Sequence, residues 1–483
     1  MPSRATSRPE AEMSKLNPAD LQGFVLRGYN MPFARYCFLH FESPKRTREL
    51  LGRLLSMVTT GQLWDEKPKS AVSIAFTFQG LAALHLPLAT LNTFPVEFQE
   101  GMKARGRILG DTGVNSAEHW DDLWREGSVH AWLGINGRSL EDVTTQFEAI
   151  STLMTETGGA RCLGIQDAAS LFEDGAFNAK EHFGYTDGFG NPDYVDICRK
   201  AQNGQGKLDK DGNWTPLATG ELLLGYADEA GELPVAPVPH LLASNGTFMV
   251  YRKLHQNVGT FRAFLNKWSS LYGAGDDLAK EKLASKFIGR WRNGTPIESS
   301  PDAPDPDILQ RPDKSTNFKY GSDPTGARCP LGAHIRRVHP RDSFGFDGRL
   351  INRRRISRRG LPYGHLAAAE DPSTPEEAAQ WDAVDRGVIF MALNANLARQ
   401  FEFVQQQWIA YGNDAHLGNE KDLLMGSHGE GEKFVVQGDA NASNPPFVCS
   451  SLPNFVELRG GDYFFVPSIT AIGMIAKELV DPR

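Results

Sequence analysis

The sequence predicts an α+β fold, in which helices pack on the faces of mostly antiparallel sheets. Both halves of the chain contain short apolar runs typical of strands, and several are followed by segments whose apolar residues recur at helical spacing. The chain has 483 residues and is 40% hydrophobic, which is the composition of a globular protein with a large core. This length favours two domains over one.

The N-terminal half supplies three predicted strands and two predicted helices. The first helix begins at Gln79, and the second follows Ser139, which opens a run resembling a capping box with an aspartate in place of the usual glutamate. The apolar stripe of the second helix consists of Leu140, Val143, Phe147 and Ile150. The three strands are predicted at 33–41, 71–78 and 128–135.

The C-terminal half repeats the strand–helix pattern, with strands predicted at 247–251 and 388–393. Such apolar helical stripes are far more often core than ligand contacts, so we expect them to pack on a sheet. The two stripes consist of Val258, Phe261, Leu265 and Trp268, and of Leu397, Phe401, Val404 and Trp408. Segments rich in glycine, proline or charge predict surface loops at 201–214, 297–313 and 429–433.

Charge and cysteine content argue against several classes of protein. The formal net charge is −8 and the basic residues form no isolated tail, so nucleic-acid binding is not expected. The five cysteines include no CxxC pair and no CxxCH, which argues against a disulfide framework, an iron–sulfur cluster and covalently attached haem. We expect no membrane association and a cytoplasmic location, because no long apolar segment exists and residues 1–17 lack an apolar signal region.

Asp187 is the first candidate for chemistry. It lies in a run from Glu181 to Pro192 that is rich in glycine and aromatic residues. Glycines allow the backbone to approach a flat ligand, and aromatic walls shift the pKa of a carboxyl group by removing water. The alternative is an ordinary Asp-Gly turn.

His334 is the second candidate, within a segment of small and apolar residues from Cys329 to Asp342. A basic run, Asn352 to Gly364, follows it. A lone histidine is often satisfied within the core, and an arginine run is often a solvated strand or loop. The alternative for the arginines is neutralisation of an anionic ligand, because the guanidinium fork matches carboxylate geometry.

Three motifs together resemble the dye-decolorizing peroxidase family. In chain order they are Gly184-Tyr185-Thr186-Asp187-Gly188, Ala333-His334-Ile335-Arg336, and Arg358 with the following Arg359-Gly360-Leu361-Pro362-Tyr363-Gly364. The resemblance extends from about Leu21 to the C-terminus. It implies two ferredoxin-like domains in tandem, with haem in the C-terminal half facing a distal loop from the N-terminal half.

From this resemblance we expect a polar tail over residues 1–20. An N-terminal ferredoxin-like domain over 21–215 then carries the distal motif, and a C-terminal ferredoxin-like domain over 216–483 carries the proximal haem ligand. The sequence itself shows no repeat between the two halves.

The resemblance also assigns roles in catalysis. His334 is expected to be the axial ligand of haem iron, Asp187 the distal acid–base group, and Arg358 the cation that stabilises negative charge on peroxide. His339 is the rival for the axial position, and His182 is a rival for the distal acid–base role.

The cofactor is expected to be one non-covalent haem b per chain. Arg341 matches a position that meets a haem propionate in relatives, and Gly188 is expected beside the cofactor. Val388 and Phe390 alternate onto one face of their predicted strand, where we expect them to line the haem pocket.

Asn396 is the expected hydrogen-bond partner of His334, at a position where many relatives have an aspartate. A neutral amide at this point would donate less electron density through the imidazole than a carboxylate does, and would raise the reduction potential. The alternative is that Asn396 caps the helix beginning near Leu397.

The predicted function is reduction of hydrogen peroxide coupled to one-electron oxidation of bulky aromatic donors such as dyes and phenolics. Trp381 and Tyr363 are candidate surface residues for relaying electrons. The alternatives are haem or porphyrin handling of the deferrochelatase kind and non-catalytic haem binding. A homo-oligomer is possible.

Overall fold

The fold is that of a computed structural model, which describes residues 16–173, 176–198, 201–273, 276–345, 348–368, 370–438 and 445–481. Its strands are β1 Phe33–Phe41, β2 Ser70–Phe76, β3 Ala131–Gly137, β4 Ala160–Ala169, β5 Leu171–Glu173, β6 Ala176–Asn178, β7 Lys207–Leu208, β8 Trp214–Thr215, β9 Thr247–Gln256, β10 Ser357–Arg358, β11 Leu361–Tyr363, β12 Gly387–Asn394, β13 Lys433–Val436, β14 Phe447–Ser450 and β15 Val456–Val466.

The α-helices lie mainly between these strands. They are α1 Gly23–Leu26, α2 Pro44–Leu54, α3 Phe78–Ala83, α4 Leu88–Leu91, α5 Val96–Ala104, α6 Gly106–Leu109, α7 Asp122–Arg125, α8 Leu140–Thr157, α9 His240–Ala243, α10 Val258–Ser269, α11 Asp277–Ile288, α12 Pro312–Thr316, α13 His334–Val338, α14 Arg349–Asn352, α15 Pro375–Asp382 and α16 Ile469–Ala476. Two π-helical turns cover Ala398–Glu402 and Val404–Ile409.

One nine-stranded antiparallel sheet dominates the molecule, in the order β10-β12-β9-β15-β2-β3-β1-β4, with β11 also paired to β12. The N-terminal strands follow the order β4-β1-β3-β2, and the C-terminal strands follow the equivalent order β15-β9-β12-β10. Each half therefore has the strand order of a ferredoxin-like unit, and Phe76 of β2 pairs with Phe465 of β15 to join them. The predicted α+β fold class is confirmed, while the domain boundary at 215/216 stays a prediction.

The sheet is strongly curved, as shown by aromatic side chains from distant strands that contact each other inside it. The ring of Phe38 on β1 lies 5.2 Å from that of Tyr251 on β9, although three strands separate β1 from β9 in the sheet. Every residue of β9 is buried, as expected for a central strand covered on both faces. The core therefore includes side chains from both halves of the chain.

Several predicted elements match the structure closely. The strand predicted at 33–41 is β1, and the helix after Ser139 is α8, whose first turn is capped by the Ser139 hydroxyl accepting from Asp142 N at 3.1 Å. The third strand begins at Ala131 rather than at Ser128. Within the described part of the chain, no helix is long and apolar enough to cross a membrane.

Two segments differ from the prediction. The stripe beginning at Leu397 forms the two π-helical turns instead of a regular α-helix. The predicted loop at 201–214 contains a small hairpin, in which Lys207 pairs with Thr215 and Leu208 with Trp214. Side-chain periodicity predicts neither difference. A π-helical turn changes the spacing of the backbone hydrogen bonds, while the apolar side chains stay on one face of the helix.

Candidate active site

A large cavity lies against the face of the sheet in the C-terminal half. Phe390 on β12 is paired with Arg252 on β9, and Arg358 on β10 is paired with Ala392, two residues from Phe390. Paired residues of antiparallel strands share a face, so these side chains form one wall. Val388, predicted to share the face of Phe390, also lines the cavity.

His334 enters this cavity at the first residue of α13. Its Nδ1 lies 3.1 Å from both carboxylate oxygens of Asp422. No other hydrogen bond to the ring is formed within the described residues, so Nε2 is available to a ligand in the cavity. An imidazole oriented by a carboxylate is the arrangement that holds metal-binding histidines in place.

Asp422 is itself held firmly. Its side chain is fully buried, and its Oδ1 accepts hydrogen bonds from Leu424 N at 3.0 Å and Met425 N at 2.9 Å. Burial acts to raise the pKa of Asp422, but the charges of His334 and Arg337 and these hydrogen bonds outweigh it and lower the pKa to about 2. Burial acts to lower the pKa of His334, and the Asp422 carboxylate holds it above its ordinary value.

The prediction that Asn396 is the partner of His334 is wrong. Asn396 Oδ1 accepts instead from Arg399 N at 2.8 Å, and the Gln400 side chain accepts from Asn396 N at 2.9 Å. These reciprocal bonds resemble a capping box, so the alternative role as a helix cap is correct. The inference of a neutral partner, and of a raised reduction potential, falls with the assignment because the partner is a carboxylate.

Asp187 and Arg358 form a pair that lines the same cavity as His334. Arg358 Nη1 donates to Asp187 Oδ1 at 3.0 Å, and Nη2 donates to the Phe189 carbonyl at 2.6 Å. Asn191 holds the Arg358 backbone through a 2.9 Å bond from Arg358 N to its side-chain oxygen. Two hydrogen bonds therefore hold the guanidinium beside the carboxylate, and a third holds the backbone of Arg358.

The Asp187 carboxylate is ionised in this setting. The side chain is 54% exposed. Loss of water to the surrounding protein acts to raise its pKa, but the charge of Arg358 and a 2.6 Å hydrogen bond from Gly188 N lower the pKa below its ordinary value. Gly188 has φ +96°, which side-chain-bearing residues resist. Gly188 is not among the described residues that line the cavity, so its contribution is to shape the turn that carries Asp187.

Three arginines, of which Arg290 and Arg355 are buried and Arg341 is half-buried, give one region of the cavity a positive charge. Arg290, Arg341 and Arg355 all line it, and none forms an ion pair with a carboxylate in the described part of the chain. Burial, followed by the neighbouring charge of Arg341, lowers the pKa of Arg290 to about 9 and that of Arg355 to about 10. Arg341 also has a strained backbone, with φ +54°.

Buried cations without counterions are costly, so this region favours an anionic ligand. The bound partners of the three guanidiniums are backbone carbonyls, such as Thr316 O at 2.9 Å from Arg341 Nη1. The cavity thus joins a free imidazole nitrogen, apolar walls and a cationic end. This donor set fits a flat metalloporphyrin that bears carboxylates, and so the residues present fit haem.

The other residues considered from the sequence occupy positions different from those of His334, Asp187 and Arg358. His182 is buried outside the cavity lining, and its Nε2 is 2.8 Å from the Tyr363 carbonyl. Tyr363 is only 2% exposed, which contradicts its role as a surface relay. Arg359 donates to Phe24 O and Val25 O, on a different side from the cavity. His339 lines the cavity, where burial and the three arginines hold its pKa well below the ordinary value.

Sequence reasoning missed Asp422 and Arg290. Asp422 is 88 residues from His334, in a segment with no motif or periodic signal. Arg290 follows α11 directly after Gly289, and only its burial identifies it. A search for an acidic residue after the π-helical segment would have included Asp422 among several candidates without selecting it.

Comparison with known proteins points to one family. The family model for the DyP dimeric alpha+beta barrel domain matches residues 20–160. Dye-decolorizing peroxidase msp1 of Mycetinis scorodonius is 27% identical, covering 98% of this chain and 90% of that protein. A dye-decolorizing peroxidase of Mycena epipterygia is 29% identical, covering 95% and 86%.

A solved structure of an ancestral D-type dye decolorizing peroxidase superposes with a TM-score of 0.79 at 26% identity. The alignment covers 95% of this chain and 99% of that one. The similarity therefore extends along nearly the whole chain, which resembles the dye-decolorizing peroxidases in both sequence and fold.

Proposed function

We propose that this protein is a haem peroxidase that reduces hydrogen peroxide and oxidises aromatic donors such as dyes and phenolics. One observation carries the proposal. His334, which the Asp422 carboxylate orients, lines the same cavity as the ionised carboxylate–guanidinium pair of Asp187 and Arg358. These are the groups that peroxide cleavage needs: an axial ligand, a proton carrier and a charge stabiliser.

His334 Nε2 would hold the iron of one non-covalent haem b, and Arg290, Arg341 and Arg355 would receive its propionates. Phe390 and the neighbouring apolar residues would enclose its ring. Haem, when bound, supplies the redox centre and an open coordination position for peroxide. Asp422 accepts the Nδ1 hydrogen of His334 and keeps Nε2 directed into the cavity.

Asp187 and Arg358 would move the proton. Asp187, ionised at neutral pH, takes a proton from hydrogen peroxide and delivers it to the oxygen that leaves as water. The Arg358 guanidinium stabilises the negative charge that develops on that oxygen, with little reorganisation because two hydrogen bonds already hold it. Two phenolic donors each lose one electron and one proton per peroxide, which yields two waters and two phenoxyl radicals.

The ligand assignment is tested by comparing two histidines in the same cavity. His334→Ala is expected to abolish or severely reduce haem retention, whereas His339→Ala is expected to keep the Soret band. Retention of a wild-type Soret band by His334→Ala, with its loss in His339→Ala, would reverse the assignment. A cytoplasmic location and a homo-oligomer are also proposals, which cell fractionation and light scattering test.

A further inference from the structure

A second cavity, of about 430 Å³, opens beside the haem cavity. It lies where α14 meets the β7–β8 hairpin. Its wall is rich in cations although the whole chain has a net charge of −8. The residues that matter for the argument are Lys207, Arg349, Leu350, Arg353, Arg354 and Arg399.

Three of these cations are neutralised by neighbouring carboxylates. Lys207 Nζ is 2.7 Å from Glu229, Arg353 Nη2 is 2.8 Å from Asp228, and Arg399 contacts both Asp228 and Glu221. This network fixes the wall in a defined shape. These carboxylates are already paired, so they do not neutralise the charges of the remaining two arginines.

Arg349 and Arg354 have no ion-pair partner within the described residues. Arg349 is exposed at the mouth of the cavity. Arg354 donates to the Arg399 carbonyl at 2.7 Å, and its guanidinium lies 3.7 Å from the centre of the Phe403 ring. Burial, and then the charges of Arg399 and Arg353, lower the pKa of Arg354, so an anion placed here meets a positive field.

The second cavity and the haem cavity share a wall. Arg354 lines both of them. Phe403, beneath Arg354, lies 5.3 Å from Trp408 between ring centres, and Trp408 lines the haem cavity. A molecule in the second cavity is thus separated from the haem cavity by a thin layer of packed side chains. Leu208 and Leu350, the latter 55% exposed, add an apolar surface next to the cations.

We propose that the second cavity binds aromatic donors that carry a carboxylate or sulfonate, with the anion at Arg349 and Arg354 and the ring against Leu208 and Leu350. This inference rests on the proposed peroxidase function. With haem bound as the redox centre, the donor would lose one electron through the shared wall and release its phenolic proton to solvent. Two such donors are oxidised for each hydrogen peroxide that is reduced to two waters.

The test compares two donors that differ by one anionic group: 2,6-dimethoxyphenol, and the same ring bearing a carboxylate para to the hydroxyl. The variant is Arg349→Glu, because Arg349 is exposed and lies outside the haem cavity lining. The control is Arg138→Glu, an equal charge change at an exposed arginine that follows β3 and lines neither cavity. Steady-state kcat/KM is measured for both donors with the haem-loaded enzyme. The dissociation constant of each donor is also measured by calorimetry without peroxide, where Arg349→Glu is expected to raise it for the carboxylate donor alone.

Arg349→Glu is expected to lower kcat/KM for the carboxylate donor by about three- to tenfold, which is the effect of reversing one surface charge. It should leave 2,6-dimethoxyphenol unchanged, and Arg138→Glu should change neither donor. Equal losses for both donors, no loss, or the same loss in Arg138→Glu would overturn the inference. Failure of the wild-type protein to oxidise 2,6-dimethoxyphenol would instead remove the proposed function, and this inference with it.

Discussion

Replacing Asp422 with asparagine removes one buried negative charge and little else. Asparagine has nearly the same shape, and its Oδ1 is still able to accept from Leu424 N and Met425 N, which lie 3.0 and 2.9 Å from Asp422 Oδ1. We therefore expect the variant to fold. The interaction that changes is the one with His334 Nδ1, 3.1 Å from both carboxylate oxygens.

The size of the effect follows from this geometry. Two full charges at 3.1 Å attract by about 5 kcal/mol at an effective dielectric constant near 20. A neutral imidazole bound to iron carries only a partial positive charge at Nδ1–H. Its attraction to Asp422 is therefore only a fraction of this upper limit of about 5 kcal/mol. Loss of such an outer partner weakens metal affinity by roughly 10- to 100-fold. We expect a haem dissociation constant raised by that factor, and a higher ferric/ferrous potential because the weaker donor stabilises ferric iron less.

Haem titration followed at the Soret band and spectroelectrochemistry measure these two quantities. Asn396→Ala is the matched control, because it removes the helix cap on Arg399 N and has no contact with His334. It should lower the free energy of unfolding by about 1 kcal/mol and leave the potential unchanged. An unchanged potential in Asp422→Asn, or a shifted one in Asn396→Ala, would refute the reasoning.

The remaining predictions concern the distal pair and the arginines. Stopped-flow reaction with peroxide should slow about 10²- to 10³-fold in Arg358→Leu and about 10²- to 10⁴-fold in Asp187→Asn; near-wild-type rates in both would exclude the pair. Because Arg358 lowers the pKa of Asp187, the wild-type rate should persist as pH falls until below the ordinary aspartate pKa of about 4, and the acid limb should move to higher pH in Arg358→Leu. Arg355→Met should weaken haem binding yet raise the melting temperature of the haem-free protein, since it removes a buried cation without a counterion; a lowered melting temperature would contradict this.

Much of the fold was predictable because its signals are local. The strand at 33–41 is a short run of mostly apolar residues, most of which are buried. Ser139 caps α8 through a hydrogen bond that involves only four consecutive residues. Asp187, His334 and Arg358 were identified through short motifs, each contained in a few consecutive residues. The structure then brings all three to one cavity.

The rest depends on contacts between distant residues. The bond between His334 and Asp422 joins α13 to a loop that no pattern marks, whereas Asn396 has the local features of a cap and is one. The choice between Arg358 and Arg359 is decided by tertiary contacts, since Arg358 donates to Asp187 while Arg359 donates to the carbonyls of Phe24 and Val25. The cationic character of Arg290 matters only because folding buries it without a carboxylate.

The most direct test of the central claim is the visible spectrum of the haem-loaded protein before and after one equivalent of hydrogen peroxide. The account predicts a Soret band that changes within the mixing time and returns when 2,6-dimethoxyphenol is added, with two donor molecules oxidised per peroxide. A Soret band that does not respond to peroxide, or that bleaches without donor oxidation, would contradict it.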